Sequence, residues 1–113
     1  KYKSEDFKKV PENSWMNRNF GKGKVFLMPV PYVIDHLDKG AKEHMDLSKP
    51  DIKEEGLTHK IDHGYETIHD WPPLKLYLAS KEERFSVEDG ITRLRYSLRN
   101  KISHIRIELG MGY

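Results

Sequence analysis

The 113-residue chain contains no cysteine, which excludes a disulfide framework, Cys-ligated zinc, a thiol nucleophile and thiol redox chemistry. It has no apolar run of the ~18 residues that a bilayer span requires and no basic-then-apolar leader. Its mean hydropathy is −0.80. The expectation is a soluble protein, with no membrane partner, in a reducing, cytoplasmic setting. Internal repeats and low-complexity tracts are also missing. Charged residues make up 34% and apolar residues 36%, with Trp, Tyr and Phe at 11%. That is polar for a globular domain but too aromatic for a chain disordered throughout.

Acids are missing from one particular stretch. From Gly90 to Ile107 the chain carries Arg93, Arg95, Arg99, Lys101 and Arg106 and neither Asp nor Glu. A second basic excess lies at the start, where residues 1–24 hold seven Lys or Arg against three acids, although the net charge of the whole is only +2. Local fields of this sign favour an anionic partner. The alternative is a solvated helix face balanced by acids elsewhere.

Residues 1–24 show no apolar period and read as a basic, partly flexible arm, with Trp15, Met16 and Phe20 available to pin it. Residues 25–113 form the domain. Val25 to Ile34 is apolar and β-branched, a strand that must lie on an edge or end near Pro29. A broken helix is expected from Asp35 to Leu47. Ser48 is the expected cap of the next helix, with Leu47 stapled onto Ile52 and Gly64 as the stop. Pro72-Pro73 leads into a strand over Leu74–Ala79, Ser80–Glu83 turns the chain, and Arg84–Glu88 alternates to complete a hairpin. Ile91, Leu94, Leu98 and Ile102 recur at helical spacing. His104 to Leu109 alternates as a last strand, followed by a tail. The fold class is therefore α/β (α+β), a small mixed sheet with a hairpin and packed helices.

Strand, Asp89-Gly90 turn and helix together make the most informative arrangement. Free amides at a helix start, the positive dipole end and a glycine that permits close approach form an anion cradle. Thr92 adds a hydroxyl and Arg93 a bidentate phosphate donor. The competing reading has Asp89 capping the helix, Gly90 relieving the turn and Arg93 paired with an acid. Glu88 and Asp89 are the carboxylates placed to hold Mg²⁺ through water or accept a proton, and so the candidate catalytic pair. Arg95 and Arg99 share a helix face and, with the lysines of the arm, are the candidate nucleic-acid contacts. His59 and His63 stand one helical turn apart, but no Glu follows His59 and a helix C-terminus explains them by its dipole. No metal site is assigned, and no nucleophile-elbow motif supports a Ser-His-Asp triad.

The run Phe85-Ser86-Val87-Glu88-Asp89-Gly90-Ile91-Thr92-Arg93-Leu94-Arg95-Tyr96-Ser97, followed by His104-Ile105-Arg106-Ile107-Glu108-Leu109, resembles the core of the ParB/sulfiredoxin superfamily. That family places Gly-x-x-Arg between a strand and a helix. The resemblance covers about residues 25–109, with Gly90 and Arg93 at the specific positions. It implies a nucleotide phosphate held at Gly90 and Arg93, ATP or CTP with Mg²⁺ as ligand, and activities ranging from phosphotransfer and nuclease action to DNA partition. It also implies that the proline-led strand brings Lys75 and His69 toward the turn. Ile91 stands where sulfiredoxins carry cysteine, which excludes sulfinic acid repair. Ile91 and Thr92 replace the carboxylate and second arginine of partition proteins, so CTP hydrolysis is not implied. Two functions follow as expectations. One is a nucleotide- or nucleic-acid-binding domain using Gly90, Thr92, Arg93 and Lys75, with phosphotransfer or nuclease activity left open. The other is a non-enzymatic phage- or plasmid-type module contacting DNA or a protein.

Overall fold

The structure, a computed structural model, describes residues 8–9, 25–79 and 84–111. The expected Ser80–Glu83 turn and the aromatic pins Trp15, Met16 and Phe20 lie outside the described residues. Strands are β1 (Lys8–Lys9), β2 (Val25–Pro29), β3 (Leu74–Ala79), β4 (Arg84–Asp89) and β5 (His104–Met111). Helices are α1 (Val30–Asp35), α2 (Lys39–Glu43), α3 (Ile52–Asp62) and α4 (Ile91–Arg99), with a 3₁₀ turn at Ile68–Asp70. The result is a mixed α+β fold, as the alternation of apolar periods predicts.

The sheet order is β1-β2-β5-β3-β4. β1 is parallel to β2, β2 antiparallel to β5, β5 parallel to β3, and β3 antiparallel to β4. The last strand of the chain is thus its centre. Ile105, Ile107 and Leu109 of β5 alternate into the core with Phe26 and Met28 of β2, Leu74 and Leu76 of β3 and Phe85 of β4. Val30, Val33, Ala41 and Leu94 close the core from the helices, and Leu37 and Met45 from the segments that follow α1 and α2. Each large apolar side chain buried here contributes about 1.5–3 kcal/mol. Leu57, Trp71 and Tyr96 form a smaller cluster, with Trp71 edge-on to Tyr96 at 5.7 Å.

Prolines and caps set the boundaries. β2 ends at Pro29, and the chain turns at once into α1 because Pro31 falls in the first helical turn, where a missing N–H costs nothing. β2 is internal, flanked by β1 and β5, so its prolines are accommodated by its ending and not by an edge position. α1 takes the second half of the stretch expected as a strand, Val25 to Ile34, and within the expected broken helix, Asp35 to Leu47, the helical part is α2, capped by Asp38, whose carboxylate accepts from Ala41 N–H at 2.8 Å.

The Ser48 cap is corrected. Asp51 caps α3, accepting from Glu54 N–H at 3.1 Å, while Ser48 Oγ donates to Asp46 at 2.6 Å. Both residues are cap formers, and Asp51 alone stands three positions before a Glu, the capping-box spacing. The staple fails with it, since Ile52 is 85% exposed. The expected stop holds: Gly64 is left-handed (φ 75°), and Tyr65 and Gly64 donate to the carbonyls of Lys60 and Ile61.

α4 ends in the same motif without a glycine. Ile102 N–H donates to Ser97 O at 2.9 Å and Lys101 takes φ 54°. The expected apolar stripe is present, but Ile102 lies past the helix. β5 runs two residues beyond the expected Leu109.

Candidate functional site

β4 delivers Glu88 and Asp89 to the turn, and Gly90 forms the N-cap of α4 with φ 110° and ψ 14°. No side chain caps this helix start, so Asp89 does not fill the role that the competing reading gave it. The first bond of the helical ladder is Leu94 N–H to Gly90 O at 3.0 Å. The Ile91 and Thr92 amides therefore precede the ladder at the positive end of the dipole. In front of them is a hollow of about 320 Å³, lined among others by Lys53, Glu88, Asp89, Gly90, Thr92 and Arg93.

Gly90 is required here on two grounds. Its φ is one that L side chains rarely adopt, and a Cβ would lie 2.5 Å from Leu74 Cδ1 and 2.7 Å from Arg93 Nη2. The second distance also reports where Arg93 goes. Its guanidinium folds back over Gly90, donates to the Pro72 carbonyl and meets Asp89 Oδ2 at 3.4 Å. Arg93 thus ties the turn to the lead-in of β3. Its neighbour in this is Arg106, which donates to the preceding carbonyl, Trp71 O. Consecutive carbonyls before β3 are held by guanidinium groups from α4 and β5.

Lys75 lies beside the turn by strand pairing but is not among the walls of the hollow. Its Cα is paired with Asp89 across the hairpin and with Glu108 of β5, and its side chain is exposed. Glu88 and Asp89 are exposed beside it. His69 stands exposed on the 3₁₀ turn. Lys53 is the residue that sequence reasoning missed. It sits on the first turn of α3, and only the packing of α3 on α4 brings it to the hollow.

Arg95 and Arg99 do share a face, but of the two Arg95 is turned inward while Arg99 keeps an exposed side chain. Arg95 is buried, with Nε on Glu54 Oε1 at 2.9 Å and Asp51 at 3.6 Å, and with Nη groups on the carbonyls of His44 (2.5 Å), Asp46 (3.2 Å) and Lys49 (2.8 Å). Arg99 donates to Glu54 Oε2 at 2.6 Å and to Leu47 O at 3.0 Å. The two guanidinium groups hold Glu54 and the 44–51 loop and leave Arg95 no surface for a nucleic acid. The Arg99 hydrogen bond is the largest cause holding the Glu54 carboxyl below its usual range, against the opposing effect of burial, with Arg95 adding to it. Arg99 is raised in turn by Glu54. The basic residues of the arm lie outside the described residues, save the backbone of Lys8–Lys9.

A larger hollow, about 560 Å³, lies along α3 and its lead-in, with Lys49, Glu55, His59, His63 and Arg99 among its walls. The His59 and His63 rings are 4.1 Å apart, and His63 Nδ1 is 2.8 Å from the His59 carbonyl. Among the described residues, no three His, Cys, Asp or Glu side chains are gathered as metal ligands, and no helix is long and apolar enough to cross a membrane. Compared with protein-family models, curated proteins and solved structures, the chain matches none.

Proposed function

We propose that the chain binds a phosphate-bearing ligand, a nucleotide in the first instance, at the Gly90 turn. The observation that carries this reading is the uncapped start of α4 on a left-handed glycine, facing a hollow with Lys53 and Thr92 on its walls. Unpartnered first-turn amides and a dipole end are a general anion-binding arrangement. The Ile91 and Thr92 amides and the Thr92 hydroxyl contact phosphate oxygens, Lys53 supplies counter-charge from the wall of the hollow, and Lys75 adds positive charge from the strand paired with Asp89. Arg93 contributes as a positioning residue that fixes the turn through Pro72 and Asp89. The ParB/sulfiredoxin resemblance agrees with this assignment, since its Gly-x-x-Arg falls on the same turn.

Glu88 and Asp89 would repel an unaccompanied phosphate. As exposed carboxylates beside the turn they suit a divalent cation held through water, with ATP or CTP and Mg²⁺ as the ligand. Phosphotransfer would follow from the same placement, because positioning and charge neutralisation supply most of its catalysis.

The test is thermal unfolding with millimolar inorganic phosphate, ATP or CTP, with and without Mg²⁺. Saturating ligand stabilises the folded state, by about 2.7 kcal/mol at one hundred times Kd. In Thr92→Asp, a carboxylate in the first turn favours the helix but repels the ligand. That variant is expected to keep its ligand-free midpoint and lose the ligand response. An unmoved wild-type midpoint, or an equal response in Thr92→Asp, overturns the reading.

A further inference from the structure

We infer that the outer edge of β4 at Val87 is a docking edge for an extended basic peptide. β4 is the terminal strand of the sheet. Part of its outer edge is already covered: Phe85 N–H donates to His36 O at 2.7 Å, Asp38 N–H donates to Phe85 O at 2.8 Å, and Leu37 bridges Phe85 in parallel. In an antiparallel pair, alternate residues direct both backbone groups away from the partner strand. Phe85 does so opposite Leu78, and Val87 must do so opposite Leu76. The covering segment leaves into α2 at Lys39 before it reaches Val87. Among the described residues, nothing takes its place. The edge therefore already supports one extended segment and stops one residue pair short of its end.

Two hollows of about 400 and 320 Å³ meet at this point, sharing Val87 and Ile91 as walls. Their charge selects the occupant. Asp89 and Arg93 pair with each other and Asp38 accepts from Ala41 N–H and Ser86 Oγ, which leaves Glu43 and Glu88 against Lys53. A strand added here gains main-chain bonds from Val87, while Lys or Arg side chains beside its pairing residue meet Glu43 and Glu88. The peptide edge shares Glu88 and the smaller hollow with the proposed phosphate site, so peptide binding is measured without nucleotide or Mg²⁺, and its readout is Val87 where that of phosphate is Ile91 and Thr92.

The experiment is amide NMR and hydrogen exchange on the labelled chain. Its probes are a blocked peptide of alternating Lys and Val and its Glu-Val counterpart. The Lys-Val peptide is expected to protect the Val87 amide, and the Glu-Val peptide is not. Reversing both exposed acids, Glu43→Lys with Glu88→Lys, is expected to weaken binding about tenfold or more. Val87→Pro removes the donor at a position whose N–H faces outward, where proline is tolerated, and is expected to abolish binding. If that variant does not fold, the charge-reversed variant decides. Equal binding of the two peptides, no protection of Val87 at millimolar peptide, or unchanged affinity after charge reversal overturns the inference. So does protection that grows with protein concentration alone, which would place a second copy on the edge.

Discussion

Arg95 Nε donates to Glu54 Oε1 at 2.9 Å, with both side chains at least nine-tenths buried, and this pair joins α4 to α3. The residues are 41 apart in sequence, and the remaining Arg95 donors are taken by loop carbonyls. Removing Arg95 leaves the buried Glu54 with Arg99 alone and takes the donor from the His44, Asp46 and Lys49 carbonyls. Arg95→Met is expected to cost about 3–5 kcal/mol in urea unfolding. A loss below about 1 kcal/mol would show that the network is not what fixes the helices.

The same network predicts an acid limb. Glu54 is held below its usual range, chiefly by the Arg99 hydrogen bond, so its folded pKa lies under the unfolded value of about 4.3. Its stabilising contribution is complete above that value and is lost as the pH falls through the folded pKa. Asp46, lowered first by the hydrogen bond from the Ser48 side chain, acts in the same direction. Unfolding free energy measured from neutral pH to pH 3 should therefore fall on the acid side. Glu54→Gln should flatten that limb, and an unchanged limb would contradict the assignment.

A β-carbon at Gly90 would collide with Leu74 and the Arg93 guanidinium, and the backbone there is left-handed. Gly90→Ala is expected to cost about 2 kcal/mol or more, read by denaturant midpoint. A near-neutral effect would mean that the turn relaxes freely, and with it the cradle.

Lys101 occupies the left-handed position that closes α4, a place usually given to glycine. Lys101→Gly should stabilise the fold by about 1 kcal/mol, seen as a higher Tm. No rise would indicate that the lysine side chain offsets its backbone strain.

Much of this was legible where the signal is local. Alternation fixed Phe85 and Val87 to one face, Pro72-Pro73 led into β3, and Asp89-Gly90 marked the passage from β4 to α4. Long-range contacts left no such mark. Arg95 read as an outward cation because Glu54, its partner, lies in another helix, while Arg99 pairs with the same Glu54 and stays exposed. Lys53 reaches the turn only through the packing of α3 on α4. Two cap-forming residues, Ser48 and Asp51, competed within four positions, and the Glu three after Asp51 decided between them. Lys101 gave no sign of its left-handed backbone, since nothing in a lysine announces it.

The most direct measurement of the central claim is a titration with ATP in the presence of Mg²⁺, followed at single backbone amides. The Ile91 and Thr92 amides should move together along one saturable curve, and the Glu54 amide, already bonded to Asp51 at the start of α3, should stay still. Equal small shifts at both helix starts, or none at Ile91 and Thr92, would contradict an anion site at the Gly90 turn.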